Sequence, residues 1–230
     1  MMLEAQNITS RYGPVTALHH ADFSLMGGEV LALVGTNGAG KSTLVMSIAG
    51  HVIPEQGNIL LEGEDITRIA IHDRASRGIG LVPEGRRVFP DLTVRENLIT
   101  GGYVLPRISE KERLEEVYDI FPRLFERAHQ LAGSLSGGEQ QMLAFGRAIM
   151  LNPKIMLIDE ISLGLMPSVI NECYAALEQL RARKIAIILV DQNSDASLDF
   201  ADKAIWLESG HVKWQGKAKD CPLINGSVAY

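Results

Sequence analysis

Gly35-Thr-Asn-Gly-Ala-Gly-Lys-Ser42 is the stretch that decides the fold. It fits the spacing Gly-x-x-x-x-Gly-Lys-Ser/Thr at every fixed position. Its flanks agree: Leu31-Ala-Leu-Val34 is an apolar run that reads as a buried strand, and a helix is predicted from Lys41 to about Ala49. Gly35, Gly38 and Gly40 let the backbone wrap closely around an anion. Successive N–H groups then form a nest, and the start of the helix adds partial positive charge. Lys41 brings a full charge to the β- and γ-phosphates, and the Ser42 hydroxyl is a ligand for Mg²⁺. The expected binding set is therefore Gly35, Thr36, Asn37, Gly38, Ala39, Gly40, Lys41, Ser42 and Thr43, around a nucleoside triphosphate.

Two further segments carry acidic and anion-binding chemistry. Ile155-Met-Leu-Ile-Asp159-Glu160 is an apolar strand ending in two acids, and ligands of parallel sheets sit at the carboxyl ends of strands. Strand alternation sends the two side chains in different directions. Asp159 is placed to hold Mg²⁺ through water, and Glu160 to act as general base on the attacking water. The plainer reading is that one acid caps the next helix. Leu135-Ser-Gly-Gly-Glu-Gln-Gln-Met-Leu143 opens a second helix, with a capping box at Ser136 and Glu139. A cap does not require Gly137 and Gly138, each of which costs a helix about 1 kcal/mol relative to alanine. Bare glycines at that start admit a phosphate, and Ser136 is available to donate to it. One chain thus carries two phosphate-binding helix starts and one lysine-bearing loop. A head-to-tail pair satisfies both, with the Lys41 loop of one subunit and the Ser136 region of the other gripping each nucleotide.

The rest of the chain sets bounds. With 230 residues it is long enough for one large domain. Acidic residues outnumber basic ones, 28 to 22, so nucleic acid is not an expected partner. No apolar run approaches the ~20 residues of a membrane-spanning helix. The start, Met1-Met-Leu-Glu-Ala-Gln, lacks the features of a signal peptide. Cys173 and Cys221 read as ordinary reduced thiols, which places the chain in the cytosol. Residues 1–62 look β-rich, with Gly27-Gly28, Gly57 and Gly63 as turns. A strand at Ile79–Val82 follows. Helices dominate about 91–150, one of them capped by Ser109 and Glu112, with Leu114, Val117, Tyr118 and Phe121 on its core face. After residue 154, strands at Ile155–Ile158, Ile185–Val190 and Lys203–Leu207 alternate with helices at about 168–182 and 193–200, and a hairpin turns at Ser209-Gly210. That alternation means an α/β fold with a parallel sheet covered on both faces.

The phosphate loop, the Leu135-Ser-Gly-Gly-Glu-Gln signature and the Ile-Met-Leu-Ile-Asp-Glu strand, in that order, resemble the ATPase subunits of ABC transporters over nearly the whole chain. The resemblance implies the ABC ATPase fold: a P-loop NTPase core with a parallel sheet (1–90 and 151–230), an N-terminal antiparallel β part, and a helical insert at 91–150. It implies ATP and Mg²⁺ as cofactors and Tyr12, in Arg11-Tyr-Gly13, stacking on adenine. It also implies that Ser162-Leu-Gly-Leu165 contacts the opposite subunit. Leu81-Val-Pro-Glu-Gly-Arg-Arg-Val-Phe-Pro-Asp-Leu-Thr-Val94 and Leu189-Val-Asp-Gln-Asn193 are similar to the LivF-type ATPases of branched-chain amino-acid importers in bacteria and archaea. That likeness implies a LivG-like sister ATPase or a second copy as partner, two membrane permeases and an external solute-binding protein. The location it implies is peripheral, on the cytoplasmic face of the bacterial cell membrane. The helical insert and the Glu84 region are expected to dock on a permease coupling helix.

Three positions depart from the wider family. Glu84 stands where most members have Gln, Gln192 where most have His, and Ile161 where Pro often follows the catalytic Glu; LivF-type subunits often share the first two. Glu84 is expected to reach Mg²⁺ or the water. Gln192 is expected to donate an amide hydrogen bond to the γ-phosphate but carries no charge. The chain's own loop is accordingly expected to bind ATP normally and to hydrolyse it more slowly than the sister site. Competing readings are a transporter of amides, urea or another solute, an ABC ATPase of DNA repair, a small P-loop kinase and a non-hydrolysing partner. A DNA-repair ATPase needs a longer insert, a kinase does not need Ser136-Gly-Gly, and Glu160 argues against the last.

Overall fold

The computed structural model describes residues 1–104, 110–162, 164–191 and 194–225, with the side chains of 194, 224 and 225 left aside. The β-rich start forms β1 (Leu3–Tyr12), β2 (Val15–Leu25), β4 (Gln56–Leu61) and the short β5 (Glu64–Asp65). Between them lie β3 (Val30–Val34) and α1 (Lys41–Ala49), and after them α2 (Ile71–Ser76) and β6 (Ile79–Val82). Four helices follow: α3 (Val94–Gly101), α4 (Glu110–Ile120), α5 (Pro122–Glu126) and α6 (Gly137–Met150). The chain then runs through β7 (Ile155–Asp159), α7 (Pro167–Ala182), β8 (Ala186–Val190), α8 (Ser194–Phe200), β9 (Lys203–Glu208) and β10 (His211–Lys217).

These strands make one curled sheet in the order β5-β4-β1-β2-β10-β9-β3-β8-β7-β6. The half from β9 to β6 is parallel. The half from β5 to β2 is antiparallel. They meet at the pair His211↔His19, where the His19 N–H donates to the Gly210 carbonyl at 2.8 Å and the two imidazoles stack with centroids 4.2 Å apart.

The unbroken apolar strands are buried on both faces, and the period of two sorts their side chains. On β7, Ile155 and Leu157 pack toward α1 and the antiparallel strands, whereas Met156 and Ile158 pack toward the helices. The helical side of that core includes Leu98, Leu114, Val117, Phe121, Leu143 and Leu177. Tyr118 packs against its edge, so the predicted stripe on α4 is core, while Ser109 lies outside the described residues. Pro122 at the first turn of α5 separates that helix from α4, since its ring fits only where no helical N–H bond is needed. The cap of α3 is Thr93, in a reciprocal box with Glu96.

One predicted turn is not a turn. Gly57 lies inside β4 at φ 88°, where a Cβ would stand 2.3 Å from the carbonyl oxygens of Gln6 and Asn7. The β1–β4 register shifts there, so the glycine serves a close backbone approach. Both cysteines are free and buried. Burial, with Glu172 adding, pushes the Cys173 thiol up to about 12, and burial raises that of Cys221. Neither thiol is expected to react with an aromatic disulfide reagent until the chain unfolds. A rapidly titrating thiol in the native protein would contradict this placement.

Candidate functional site

The loop between β3 and α1 is pressed against two strand ends. A Cβ on Gly35 (φ 141°) would stand 2.1 Å from the Leu207 carbonyl oxygen, and one on Gly40 (φ 104°) 2.7 Å from that of Ala17. Only glycine meets both the dihedral and the space. Gly38 is different: a Cβ there would have no atom within 4 Å, and the residue lines an open cleft. That cleft holds about 400 Å³ and is bordered by Ala17, Gly38, Lys41, Ser42, Glu84 and Glu160 among others. Helix α1 starts on Gly40 with no side-chain cap, which leaves its first N–H groups to an anion.

Lys41 is 7% exposed, and its ammonium donates to the carbonyls of Gly35 at 2.7 Å and Thr36 at 2.9 Å. An ammonium has three donors, so one remains for a phosphate oxygen. Burial pulls its pKa down, and the charges of Glu160 and Asp159 oppose that. The Ser42 hydroxyl donates to Asp159 Oδ1 at 3.0 Å. Asp159 is 1% exposed. Burial raises its pKa; the Ser42 hydrogen bond and Lys41 oppose the rise, and the negative charges of Glu84 and Glu160 add to it. Two carboxylates, Asp159 and Glu160, thus act on Lys41, and Glu84 acts on Asp159. The donor set, a hydroxyl and carboxylates, suits Mg²⁺, which takes one or two protein oxygens and fills the rest with water and phosphate. Among the described residues no three His, Cys, Asp or Glu side chains are grouped to hold a metal by themselves.

Alternation alone would send Glu160 away from Asp159. The strand instead ends at Asp159, and Glu160 adopts φ 63° with its N–H donating to the Val190 carbonyl at 2.8 Å. This left-handed conformation costs a non-glycine residue about 1–2 kcal/mol. It brings the Glu160 side chain to the cleft wall. Buried strands and an acidic end are legible in sequence; this reversal is not.

Other expected residues stand elsewhere. Tyr12 is at the β1–β2 turn, 53% exposed, on the hairpin that also carries Ala17 into the cleft wall. Ser136, Gly137 and Gly138 do not line the cleft; they begin α6. The capping box there is complete. Ser136 Oγ accepts from the Glu139 N–H at 3.3 Å and donates to Glu139 Oε2 at 2.8 Å, and Arg127 Nε pairs with Glu139 Oε1 at 2.6 Å. The donor that sequence reasoning left open at Ser136 is thus engaged. Gly138 also has a steric reason within this chain, whereas the atoms nearest a Cβ on Gly137 are the movable tip of an arginine. A Cβ on Gly137 would stand 2.7 Å from Arg86 Nη1, and one on Gly138 2.7 Å from Val169 Cγ2. Gln192, Asn193 and Leu163 lie outside the described residues. Ser162 Oγ donates to Asp191 Oδ1 at 2.5 Å. Sequence reasoning passed over Asp191, although its place after the apolar β8 repeats that of Asp159 after β7.

The family model described as ABC transporter matches residues 18–162. The high-affinity branched-chain amino acid transport ATP-binding protein BraG of Pseudomonas aeruginosa is 44% identical over 211 residues, covering 92% of this chain and 91% of BraG. LivF of Archaeoglobus fulgidus, named as a branched-chain amino acid transport ATP-binding protein, is 34% identical over 95% of this chain and 93% of its own length. A solved ATP-binding subunit of an ABC transporter superposes with a TM-score of 0.84 at 27% identity, covering 99% of this chain and 94% of that one. The phosphate loop, the acidic strand end and the glycine-led helix therefore sit in a framework shared along almost the full length of these relatives, and the chain belongs to the ABC transporter family as one of its ATP-binding subunits, an ATPase.

Proposed function

We propose that this chain powers an importer of branched-chain or other hydrophobic amino acids, and that two ATPase subunits grip each MgATP from opposite sides. The observation that carries the two-sided grip is the separation of the phosphate-binding features. The Lys41 loop and Glu160 border one cleft, whereas the Ser136 helix start is absent from its lining. The second subunit is a LivG-like sister or a second copy of this chain. The names of the relatives support the choice of solute.

In this reading the phosphate loop from Gly35 to Thr43 cradles the α-, β- and γ-phosphates, with Thr36 and Asn37 contributing backbone N–H groups, while the Ala39 N–H holds the loop's shape by donating to the Thr36 carbonyl at 3.1 Å. Tyr12 offers its exposed ring to adenine. Ser42 and Asp159 would hold Mg²⁺, with Glu84 close by; the ion supplies charge neutralisation to the β- and γ-oxygens when bound. Glu160 takes the proton of the attacking water as its oxygen bonds to the γ-phosphorus and the bridging P–O bond to ADP breaks. Gln192 donates to the leaving phosphate. Ser136, Gly137 and Gly138 of the opposite subunit hold the same γ-phosphate, so its release lets the pair open.

The lobe at 91–150 meets the core along a groove of about 760 Å³, with Met46, Ile71, Ile79, Leu81 and Leu151 among its apolar lining. This groove suits a helix of a membrane permease, two of which complete the complex together with an external solute-binding protein. Among the described residues no helix is long and apolar enough to cross a membrane, and the chain is assigned to the cytoplasmic face of the cell membrane as a peripheral subunit.

Reconstitution with the sister ATPase, permeases and solute-binding protein in liposomes tests the reading. ATP-driven uptake of labelled leucine is expected, and Ser136→Arg in this chain should lower it at least about tenfold by blocking the second grip. Undiminished uptake in that variant would remove the two-sided grip, and uptake of amides or urea in place of leucine would reassign the solute.

A further inference from the structure

We infer that Asp191 is a positioning residue for hydrolysis: acting through Ser162, it holds Glu160 in the left-handed backbone that aims the carboxylate at the attacking water. The inference rests on the reading of Glu160 as general base proposed above and names what fixes its aim. The residues that follow β7 cross the end of β8 and are tied to it twice. Glu160, at φ 63°, donates its N–H to the Val190 carbonyl at 2.8 Å. Two residues on, Ser162 Oγ donates to Asp191 Oδ1 at 2.5 Å. Val190 closes β8 and Asp191 is the next residue, so one strand end grips the chain before and after the Glu160 side chain.

The first tie is not enough by itself. It fixes the peptide entering Glu160, whereas the ψ of Glu160 depends on where residues 161 and 162 are led. A non-glycine residue in the left-handed region persists only where its surroundings over-determine it. Ile161 supplies part of that restraint, with its side chain fully buried in the helical side of the core. Ser162 supplies the rest. Its bond falls in the short range of a hydroxyl on an ionised carboxylate, and Asp191 is 2% exposed, so water competes little for it. The carboxylate also faces α7, where its charge adds to burial in raising the Tyr174 hydroxyl. Beyond the tie, the Ser162 carbonyl accepts from the Leu165 N–H at 3.2 Å. Glu160 borders the phosphate cleft, and neither Ser162 nor Asp191 is among the described residues that line it. Asp191 therefore acts on the base through the backbone and does not touch the nucleotide. Without the Ser162 bond, Glu160 can relax toward extended backbone, where alternation turns its side chain off the cleft wall.

The test uses full-length ATPase pairs in which only this chain's loop hydrolyses, the partner's phosphate-loop lysine having been exchanged. Single-turnover rate and equilibrium MgATP binding are measured, with a melting curve for each variant. Ser162→Ala should lower the rate at least about tenfold while MgATP affinity stays within about twofold. Ser162→Thr, which keeps a hydroxyl, should restore most of the rate, and Asp191→Asn, which keeps an acceptor oxygen and loses the charge, should fall between. The deciding measurement repeats Ser162→Ala in a Glu160→Gln background. With no base left to aim, the residual rate should change by less than about twofold. An equal loss in both backgrounds, a loss that appears only as weaker binding or lower melting temperature, or a Ser162→Ala rate equal to the parent's overturns the inference. In each of those cases a slow Glu160→Gln leaves the general base in place. If Glu160→Gln itself turns over like the parent, the base is misassigned and the inference falls with it.

Discussion

Replacing Glu160 by glutamine is expected to lower ATP turnover by about 10²–10⁴-fold while MgATP binding survives. The amide keeps the size of the side chain and its place at the cleft wall, but it cannot take a proton from water. Binding should hold or tighten, because Glu160 is one of two carboxylates acting on Lys41 and its charge opposes an incoming triphosphate. The same exchange should let ATP-bound pairs accumulate, since γ-phosphate release is what opens them. Single-turnover hydrolysis measured beside equilibrium binding of MgATP separates the two effects. A loss of turnover below about tenfold would move the general base to another group.

Replacing Arg74 by methionine is expected to cost about 3–5 kcal/mol of stability. Arg74 has no exposed surface. Its guanidinium donates to the carbonyls of Ser47 at 2.7 Å and Ile48 at 2.8 Å near the end of α1, of Thr67 at 2.6 Å, and of Ile69 at 3.0 Å. Burial pulls its pKa down, with Asp65 opposing. Methionine fills much of the volume but removes the guanidinium from all four; the Ser47 carbonyl keeps the Gly50 N–H at 3.3 Å, while those of Ile48, Thr67 and Ile69 lose this donor, and each buried unsatisfied group costs about 1–3 kcal/mol before relaxation. For a chain of this size the melting temperature should fall by roughly 6–20 °C. Calorimetry showing a drop under about 2 °C would mean that water or another donor replaces the guanidinium. The consequence reaches the site, because α1 begins at the phosphate loop and ends on Arg74.

Arg74 also marks the limit of sequence reading. The neighbouring Ile71-His-Asp-Arg-Ala-Ser76 is short and charged, with no apolar period, and neither α2 nor the burial of its arginine is visible in it. Strands such as Val30–Val34 and Ile79–Val82 were legible to within one residue, because an unbroken apolar run of that length is stable only between two covered faces. Helix α1 was legible from its motif rather than its pattern, since it is buried nearly all round and shows little amphipathic contrast.

What the residues determined alone was local: the phosphate loop's spacing, the apolar strands, the capping box at Ser136 and Glu139, and the acids closing β7. Each depends on neighbours within a few positions, which the order of residues states directly. The tertiary structure decided what those parts face. It turned Glu160 into the cleft through a left-handed backbone, occupied the Ser136 proton with Glu139, and laid Arg86 on Gly137 across 51 positions of chain. It also put a carbonyl where Gly57 permits no side chain. Such contacts arise from the close packing of segments distant in sequence, where a few tenths of an ångström separate attraction from overlap, and no local pattern encodes that distance.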